Sequence, residues 1–299
     1  MSSRAKKLRE KISANEIIKV GGAFDAMSAK LVEISGFDAV WASSFAISAT
    51  HAMPDASIMT MTEFLQVTKN MVDSCQIPII ADCDTGFGGP SNVTHLVNQY
   101  ENANVAGISI EDKIFPKQNS LLENGKQQLL NEKDFVAKII AAKEAKKDEN
   151  FMVIARTEAL IAGLGMHEAI KRATAYENAG ADAILIHSKN DTPDQIFEFC
   201  DSWKGSVPLV VVPTSYGGVT INELISHKIK MVIYANQSLR IAHKSMSRLL
   251  KKLKDAQSLD DVDEEMSSMN KIFELQKMSE ITSQEKDIEE KLKKLGYIS

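Results

Sequence analysis

The chain has 299 residues, of which 44% are hydrophobic and 25% charged, enough apolar content to form one large folded core. Its 40 acidic and 35 basic residues give a formal net charge of -5, which argues against a nucleic-acid-binding surface or a polybasic membrane anchor and favours a small-molecule partner. The basic first residues precede no apolar stretch, so we expect no secretory signal, no membrane span and a cytoplasmic protein.

Short apolar segments rich in β-branched residues recur along the chain, and a segment with helical spacing follows most of them. Several are continuous apolar runs, as strands buried on both faces require. Clear helical spacing occurs over residues 92–104, 132–147 and 166–180, the last closing on Gly180. In chain order the predicted strands are IIKVGG near residue 17, DAVWAS near 38, IPIIADCD near 77, VAGISIED near 105, FMVIARTE near 151, DAILIHS near 182, VPLVVVPT near 207 and KMVIYAN near 230.

This alternation predicts an α/β protein made of parallel βα units. Eight units in a chain of this length favour a (β/α)8 TIM-type barrel. A doubly wound open sheet would use the same units, but neither a GxGxxG motif after the first strand nor a Walker A motif is present. We therefore expect residues 1–299 to form a single barrel domain, with two unrelated domains as the alternative.

Residues 237–299 form a C-terminal extension that is predicted to be helical throughout. Its stripe of Met, Ile and Leu side chains has two interpretations. The stripe packs against its own barrel, or a helix is exchanged between subunits.

Polar side chains end most of the predicted strands. Because the catalytic groups of barrel enzymes project from the carboxyl ends of the strands, these positions predict the active site. The strand-end residues are Asp82 and Asp84, Glu111 and Asp112, Arg156 and Glu158, His187, and Asn236.

Three of these acids predict a magnesium site. Asp82 and Asp84 are two residues apart and project the same way, and Glu111 ends the adjacent strand. Mg²⁺ binds through one or two carboxylates, several waters and the oxygens of an anionic substrate. The alternative for any one acid is a helix cap or an ion pair with Arg156. Cys83, between the two aspartates, is interpreted as a packing residue.

Arg156 and His187 can bind the oxygens of a carboxylate or a phosphoryl group. Residues 111–128, EDKIFPKQNSLLENGKQQ, have the length and composition of an active-site lid that carries Lys117, Asn119 and Ser120 to the substrate. A solvated surface loop is the alternative.

The segment EDKIFPKQNS resembles the EDK-five-residues-NS signature of the phosphoenolpyruvate mutases, within the isocitrate lyase and phosphoenolpyruvate mutase superfamily. The resemblance extends over nearly the whole chain through GAFDAMSAKLVEISGFDAVWASSF, ADCDTGFGG, ARTEALIAGLG and GADAILIHS. It implies a (β/α)8 barrel that exchanges a C-terminal helix between subunits, in a homo-oligomer that is a dimer or, more usually, a tetramer.

The resemblance also implies an activity, the interconversion of phosphoenolpyruvate and 3-phosphonopyruvate through a pyruvate enolate. Because the equilibrium favours phosphoenolpyruvate, a role in phosphonate biosynthesis implies a partner enzyme that consumes phosphonopyruvate. By the same resemblance Asp82 binds Mg²⁺ directly, Asp84 and Glu111 bind it through water, and Arg156 and His187 hold the phosphoryl group. The remaining site residues are Ser43 with the backbone of Ser44 and Phe45 for the pyruvoyl group, Trp41 as a wall, Asp55 as the catalytic carboxylate, and Lys117, Asn119 and Ser120 on the lid.

Three departures bear on the activity. The lyases of the superfamily carry a lid cysteine where this chain has Asn119, Ser120 and Leu121, so a carbon–carbon lyase is not expected. Phosphonopyruvate hydrolase, the main alternative, has threonine at the position of Asn119. Many mutases have glycine at the position of Ser44. A barrel without catalysis is a further alternative, which the joint presence of all these residues disfavours.

Overall fold

The computed structural model describes residues 3–298. Eight parallel strands pair in sequence order and β8 pairs with β1, so the sheet closes into a barrel. The predicted (β/α)8 architecture is confirmed, because an open doubly wound sheet would leave two unpaired edges. The strands are β1 (Ile18–Ala23), β2 (Ala39–Ala42), β3 (Ile79–Asp82), β4 (Gly107–Glu111), β5 (Met152–Thr157), β6 (Ala183–Ile186), β7 (Leu209–Val211) and β8 (Ile229–Tyr234).

Helices connect the strands, and the three segments with clear helical spacing form α5, α6 and α7. Gly180 has a φ of +97° just beyond α7, the left-handed conformation in which helices often end. Among residues 3–298 the helices are α1 (Arg4–Ser13), α2 (Ala26–Ile34), α3 (Ser44–Thr50), α4 (Met61–Ser74), α5 (Pro90–Asn102), α6 (Glu132–Ala145), α7 (Gly165–Asn178), α8 (Asp194–Ser202), α9 (Ile221–Ser226), α10 (Gln237–Asp255), α11 (Asp260–Asp263), α12 (Met269–Leu275) and α13 (Met278–Lys294).

The interior of the barrel is an apolar core built from side chains of seven strands and from Ala106, directly before β4. Leu8 of α1 belongs to this core together with Ile18 and Met152 near the starts of their strands. Lys230 at the start of β8 donates to the carbonyls of Ala14 and Glu16, which follow α1. Helix α1 therefore covers the amino ends of the strands and leaves the carboxyl ends for the site.

The seam between β1 and β8 depends on a glycine. A Cβ atom at Gly22 would collide with the main-chain carbonyl of Ala235, just past the end of β8. Because a backbone atom cannot move aside as a flexible side chain can, only glycine lets the two strands approach this closely.

Two compact units are present, one reaching to Arg240 and the second starting at Ile241. The second unit contains α11, α12, α13 and most of α10, and apolar side chains on α10 and α13 are exposed. Folding as a single domain and exchange of a helix between subunits stay predictions. Within residues 3–298, no helix is both long and apolar enough to span a bilayer.

Candidate active site

A cavity of about 60 Å³ lies at the carboxyl ends of the strands, where the barrel was expected to place its site. Eleven of the predicted site residues line it. Asp84 and Glu111 are buried beside it. The lining consists of Trp41, Ser43, Ser44, Phe45, Asp55, Asp82, Lys117, Asn119, Ser120, Leu121, Arg156, His187, Val212, Thr214, Ala235 and Asn236.

The turn after β2 contributes one wall. Ser43 caps α3, and its Oγ accepts a hydrogen bond from the backbone N–H of Ala46 at 3.3 Å. The N–H groups of the first helical turn, at Ser44 and Phe45, have no acceptor within the helix by geometry. They are therefore free to bind an oxygen of a ligand. Ser44 lines the cavity with its side chain in place, so a side chain at this position does not close the pocket. Its buried Oγ has no hydrogen-bond partner among residues 3–298.

A cluster of acids forms the floor between β3 and β4. The main-chain N–H of Glu111 donates to the carbonyl of Asp84 at 2.7 Å, which draws the end of β4 against the turn after β3. The N–H of Asp84 donates to Asp82 Oδ1 at 3.3 Å. Burial, with the negative charge of Asp84 added, raises the pKa of Asp82 to about 7. Burial also raises the pKa of Asp84. Burial thus raises the pKa of both aspartates by more than the neighbouring positive charge of Lys117 lowers it.

This acid cluster suits a hydrated divalent cation. Glu111 Oε1 is buried and has no hydrogen-bond partner in the described part of the chain, and carboxylate oxygens are the ligands that Mg²⁺ prefers. No group of three or more His, Cys, Asp or Glu side chains within the described residues converges tightly enough to hold an ion directly. An ion that keeps most of its waters and binds one carboxylate matches both observations.

Lys117 of the lid supplies positive charge to the same acids. Its Nζ lies 2.9 Å from Asp55 Oδ1 and 2.9 Å from Asp84 Oδ1. Burial alone would lower the pKa of Lys117, but Asp84 and Asp55 outweigh it and raise the pKa well above its usual value. Burial alone would raise the pKa of Asp55, yet Lys117 and Asn119 leave it lowered. Asp55 is therefore a carboxylate.

Arg156 and His187 meet at a buried acid, Glu158. Arg156 Nε lies 2.5 Å from Glu158 Oε1, and His187 Nδ1 lies 3.0 Å from the same oxygen and 3.0 Å from Arg156 Nη2. Burial lowers the pKa of His187, so its imidazole is neutral near pH 7. If Nδ1 accepts from Arg156, Nε2 carries the proton and can donate to an anionic ligand.

Glu158 and Asp112, noted only as strand ends in the sequence, form the buried support of this site. Asp112 accepts from the N–H of Glu158 at 2.8 Å, from Tyr176 Oη at 2.7 Å and from Arg172 Nη1 at 3.2 Å. Arg156, His187 and Lys113 hold the pKa of Glu158 well below its usual range against the effect of burial. In the sequence, Asp112 was indicated only by the EDK segment and Glu158 only by the RTE segment. The partners of Asp112 on α7, Arg172 and Tyr176, were not predictable, because they come from a distant part of the chain.

The polar loop after β4 lies over the cavity as a lid. Its stem is a short antiparallel pair, in which the N–H of Ile114 donates to the carbonyl of Gln128 at 3.0 Å. Asn119 Nδ2 donates to Asp55 Oδ2 at 2.7 Å, and Ser120 Oγ donates to Glu158 Oε2 at 2.6 Å. Lys117 and Ser120 are only 6% and 5% exposed. The predicted lid residues therefore face the cavity, whereas residues 121–124 of the same loop are exposed to solvent.

Some lining residues were not predicted. Val212, Thr214, Ala235 and Asn236 complete the wall at β7 and β8, where only Asn236 had been noted as a strand end. The sequence provided little indication of these positions, because small and amide side chains are common wherever a strand passes into a loop. Cys83 is buried and its pKa is raised well above its usual value by burial, as expected of a packing residue.

Comparison with known proteins identifies the family. The family model described as "Phosphoenolpyruvate phosphomutase" matches residues 8–254. The curated "Phosphonopyruvate hydrolase" of Variovorax sp. (strain Pal2) is 43% identical over 270 residues, covering 90% of this chain and 93% of that protein.

Two solved structures superpose closely on the chain. A phosphoenolpyruvate phosphomutase from Streptomyces platensis subsp. rosaceus has a TM-score of 0.93 and 41% identity, covering 95% of this chain and 98% of that one. A phosphonopyruvate hydrolase in complex with oxalate and Mg²⁺ has a TM-score of 0.89 and 40% identity, covering 94% and 98%. Mutase and hydrolase are thus about equally similar. The chain belongs to the phosphoenolpyruvate phosphomutase family, within the isocitrate lyase and phosphoenolpyruvate mutase superfamily.

Proposed function

We propose that this enzyme is a phosphoenolpyruvate mutase, which interconverts phosphoenolpyruvate and 3-phosphonopyruvate. The observation that carries the proposal is the lid contact of Asn119, whose carboxamide donates to Asp55 at 2.7 Å over the closed cavity. A mutase must return the phosphoryl group to the bound enolate before water reaches it. A lid that is hydrogen-bonded to the floor of the site serves that requirement.

The phosphoryl group would bind at Arg156 and His187. Arg156 has five N–H donors, and those of Nη1 are additional to the bonds that Nε and Nη2 make with Glu158 and Ser120. A loose, metaphosphate-like transition state needs positioning and charge stabilisation more than covalent help. We assign Asp55 the role of orienting this group, because Lys117 and Asn119 already hold its carboxylate.

The pyruvoyl end would bind at Ser43 and at the backbone N–H groups of Ser44 and Phe45, with Trp41 as a wall. Asp82 would hold Mg²⁺ directly, and Asp84 and Glu111 would hold it through water. When bound, Mg²⁺ supplies positive charge to the phosphoryl and enolate oxygens. The solved phosphonopyruvate hydrolase is a complex with oxalate and Mg²⁺, which supports a site for Mg²⁺ and a small dianion, because oxalate resembles a pyruvate enolate in shape and charge.

Phosphonopyruvate hydrolase is the second candidate, favoured by the curated hydrolase at 43% identity. A hydrolase would need the same binding groups but would admit water to the phosphoryl group. Lyase activity has less support, because Cys75, Cys83 and Cys200 all lie outside the lid. A barrel without catalysis has least support, since the acids, Arg156 and His187 surround one cavity.

The enzyme would act as a homo-oligomer that exchanges a C-terminal helix. Support comes from exposed apolar side chains at helical spacing on α10, which would be unusual on a free surface: Met246, Leu250 and Leu253. A phosphonopyruvate-consuming enzyme would be needed to draw the reaction towards phosphonates.

Phosphorus NMR of the protein with phosphonopyruvate and Mg²⁺ tests the function, because it distinguishes phosphonopyruvate, phosphoenolpyruvate and inorganic phosphate in one sample. The mutase proposal predicts growth of the phosphoenolpyruvate signal. Phosphate and pyruvate as sole products would make the enzyme a hydrolase. An Arg156→Lys variant, which loses the planar fork of donors, is the inactive reference, and Arg9→Lys on α1 is its matched control.

A further inference from the structure

Lys113, the last residue of the EDK sequence, has no part in the proposed reaction, yet it is buried with 1% of its surface exposed. A lysine is seldom fully buried unless hydrogen bonds and opposite charge compensate its ammonium group. The contacts of Lys113 therefore indicate what its burial achieves.

The ammonium group of Lys113 reaches from the stem of the lid to the tip. Its Nζ donates to the carbonyl of Gln118 at 2.9 Å and to Ser120 Oγ at 2.6 Å. It also lies 3.5 Å from Glu158 Oε2, which provides the opposite charge. An ammonium has three protons, so these three neighbours match its donor capacity.

Gln118 and Ser120 are the two residues that flank Asn119. Asn119 itself is bonded on both sides of its carboxamide, with Oδ1 accepting from the N–H of Leu121 at 2.9 Å and Nδ2 donating to Asp55. By holding both neighbours of Asn119, Lys113 fixes the backbone from which that carboxamide projects. The direction of the carboxamide thus depends on a residue that does not touch it.

Lys113 also helps to fix the orientation of the Ser120 hydroxyl. This hydroxyl donates its one proton to Glu158 and accepts from Lys113 and from Arg156 Nη2 at 3.1 Å. One donor and two acceptor positions are the full capacity of a hydroxyl. Without the Lys113 ammonium, Arg156 would be the only group among residues 3–298 that donates a hydrogen bond to Ser120 Oγ.

We propose that Lys113 is a positioning residue, which acts through Ser120 and Asn119 to hold the lid closed over the phosphoryl group and keep water out. The part of this inference that concerns phosphoryl transfer rests on the proposed mutase function. The part that concerns the lid does not.

The test compares Lys113→Met with the unmodified enzyme. Methionine has a similar volume and no charge, and the stem keeps its main-chain bonds. The matched control is Lys143→Met, which also removes a lysine ion pair, with Asp182, but lies on α6 outside the lid. Hydrogen exchange of residues 115–127 is measured with and without Mg²⁺ and oxalate. Phosphorus NMR then gives the ratio of phosphate to phosphoenolpyruvate formed from phosphonopyruvate.

We expect Lys113→Met to speed exchange in the lid by about tenfold or more, the effect of losing hydrogen bonds from a charged donor. We expect the phosphate fraction to rise, and this rise to be no larger in the double variant with Asn119→Thr than in Asn119→Thr alone, because both changes act on one contact. Lys143→Met should alter neither quantity. If Lys113→Met does not fold, Lys113→Gln, which retains hydrogen bonding, and Ser120→Ala are measured in the same way.

If Lys113 variants fold and hydrogen exchange in the lid is the same as in the unmodified enzyme, the inference is overturned, whatever products the enzyme forms. Faster exchange in an enzyme whose unmodified form makes no phosphoenolpyruvate would uphold the positioning role and refute the mutase function. A faster lid with an unchanged product ratio in an active mutase would refute the water-excluding role.

Discussion

At the scale of single residues, the site contains two acids whose pKa is raised and two whose pKa is lowered. Burial and like charge raise the pKa values of Asp82 and Asp84, whereas neighbouring basic side chains, chiefly Lys117 for Asp55 and Arg156 for Glu158, lower those of the other two acids. Opposite shifts within one cavity are typical of functional sites, because burial and charged partners are arranged there to perturb the pKa values of the working groups. Lys117 connects the two sets, since it contacts both Asp55 and Asp84.

Asn119→Thr should raise the fraction of phosphonopyruvate that is hydrolysed. Threonine is shorter and has no carboxamide, so the 2.7 Å bond to Asp55 is lost and water gains access to the phosphoryl group. We expect the phosphate fraction to increase by about tenfold, as for loss of a hydrogen bond to a charged group. Phosphorus NMR measures the fraction, and Asn98→Thr on the exposed face of α5 is the control. An unchanged product ratio would remove Asn119 as the determinant.

At the scale of secondary structure elements, closure of the barrel depends on the approach of β8 to β1. Strands of a closed sheet have no free edge, so a local separation at one seam disturbs the pairing on both sides. The cavity residues Ala235 and Asn236 directly follow β8. Stability and site geometry are therefore linked at this seam.

Gly22→Ala should destabilise the protein by about 3 kcal/mol or more, because the added methyl meets the main-chain carbonyl of Ala235. Thermal or urea unfolding followed by circular dichroism measures the change. Gly218→Ala is the matched control, since a Cβ atom there would meet open space. Equal stabilities of the two variants would contradict the tight β1–β8 contact.

At the scale of the whole molecule, Asp182 joins three elements around the amino end of the barrel. It accepts hydrogen bonds from Arg9 of α1 at 2.7 Å, from Lys143 of α6 at 2.7 Å and from the N–H of Val153 in β5 at 2.8 Å. Burial alone would raise the pKa of Asp182, but these donors lower it. The folded pKa thus lies below the unfolded value.

Asp182→Asn should lower the free energy of unfolding at pH 7 by about 2 kcal/mol. Because the folded pKa is depressed, the stabilisation by Asp182 is complete above the unfolded pKa of about 4 and is lost as the pH falls through the folded value. The difference in unfolding free energy between the two proteins should therefore shrink on going from pH 5 towards pH 3. A constant difference would contradict this assignment, and Asp73→Asn at an exposed site on α4 is the control.

Leu250→Asp should reduce the size of the assembly. A carboxylate in the apolar stripe of α10 would be buried without a partner if that stripe forms the subunit contact. Light scattering coupled to size-exclusion chromatography measures the molar mass, with Lys251→Asp on the adjacent exposed position as the control. An unmodified protein that runs as a monomer, or a variant with unchanged mass, would count against helix exchange.

The sequence by itself determined the fold and the edge of the barrel that carries the site. Continuous apolar runs require strands buried on both faces, and parallel βα units bring all their carboxyl ends to one edge, so polar strand ends such as Asp82, Arg156 and His187 had to meet there. The tertiary structure alone decided which charges compensate each other. Glu158 joins Arg156, His187, Lys113 and Ser120, and Asp112 draws partners from α7, because charge pairing in a buried site depends on distances of a few ångströms between residues far apart in the chain.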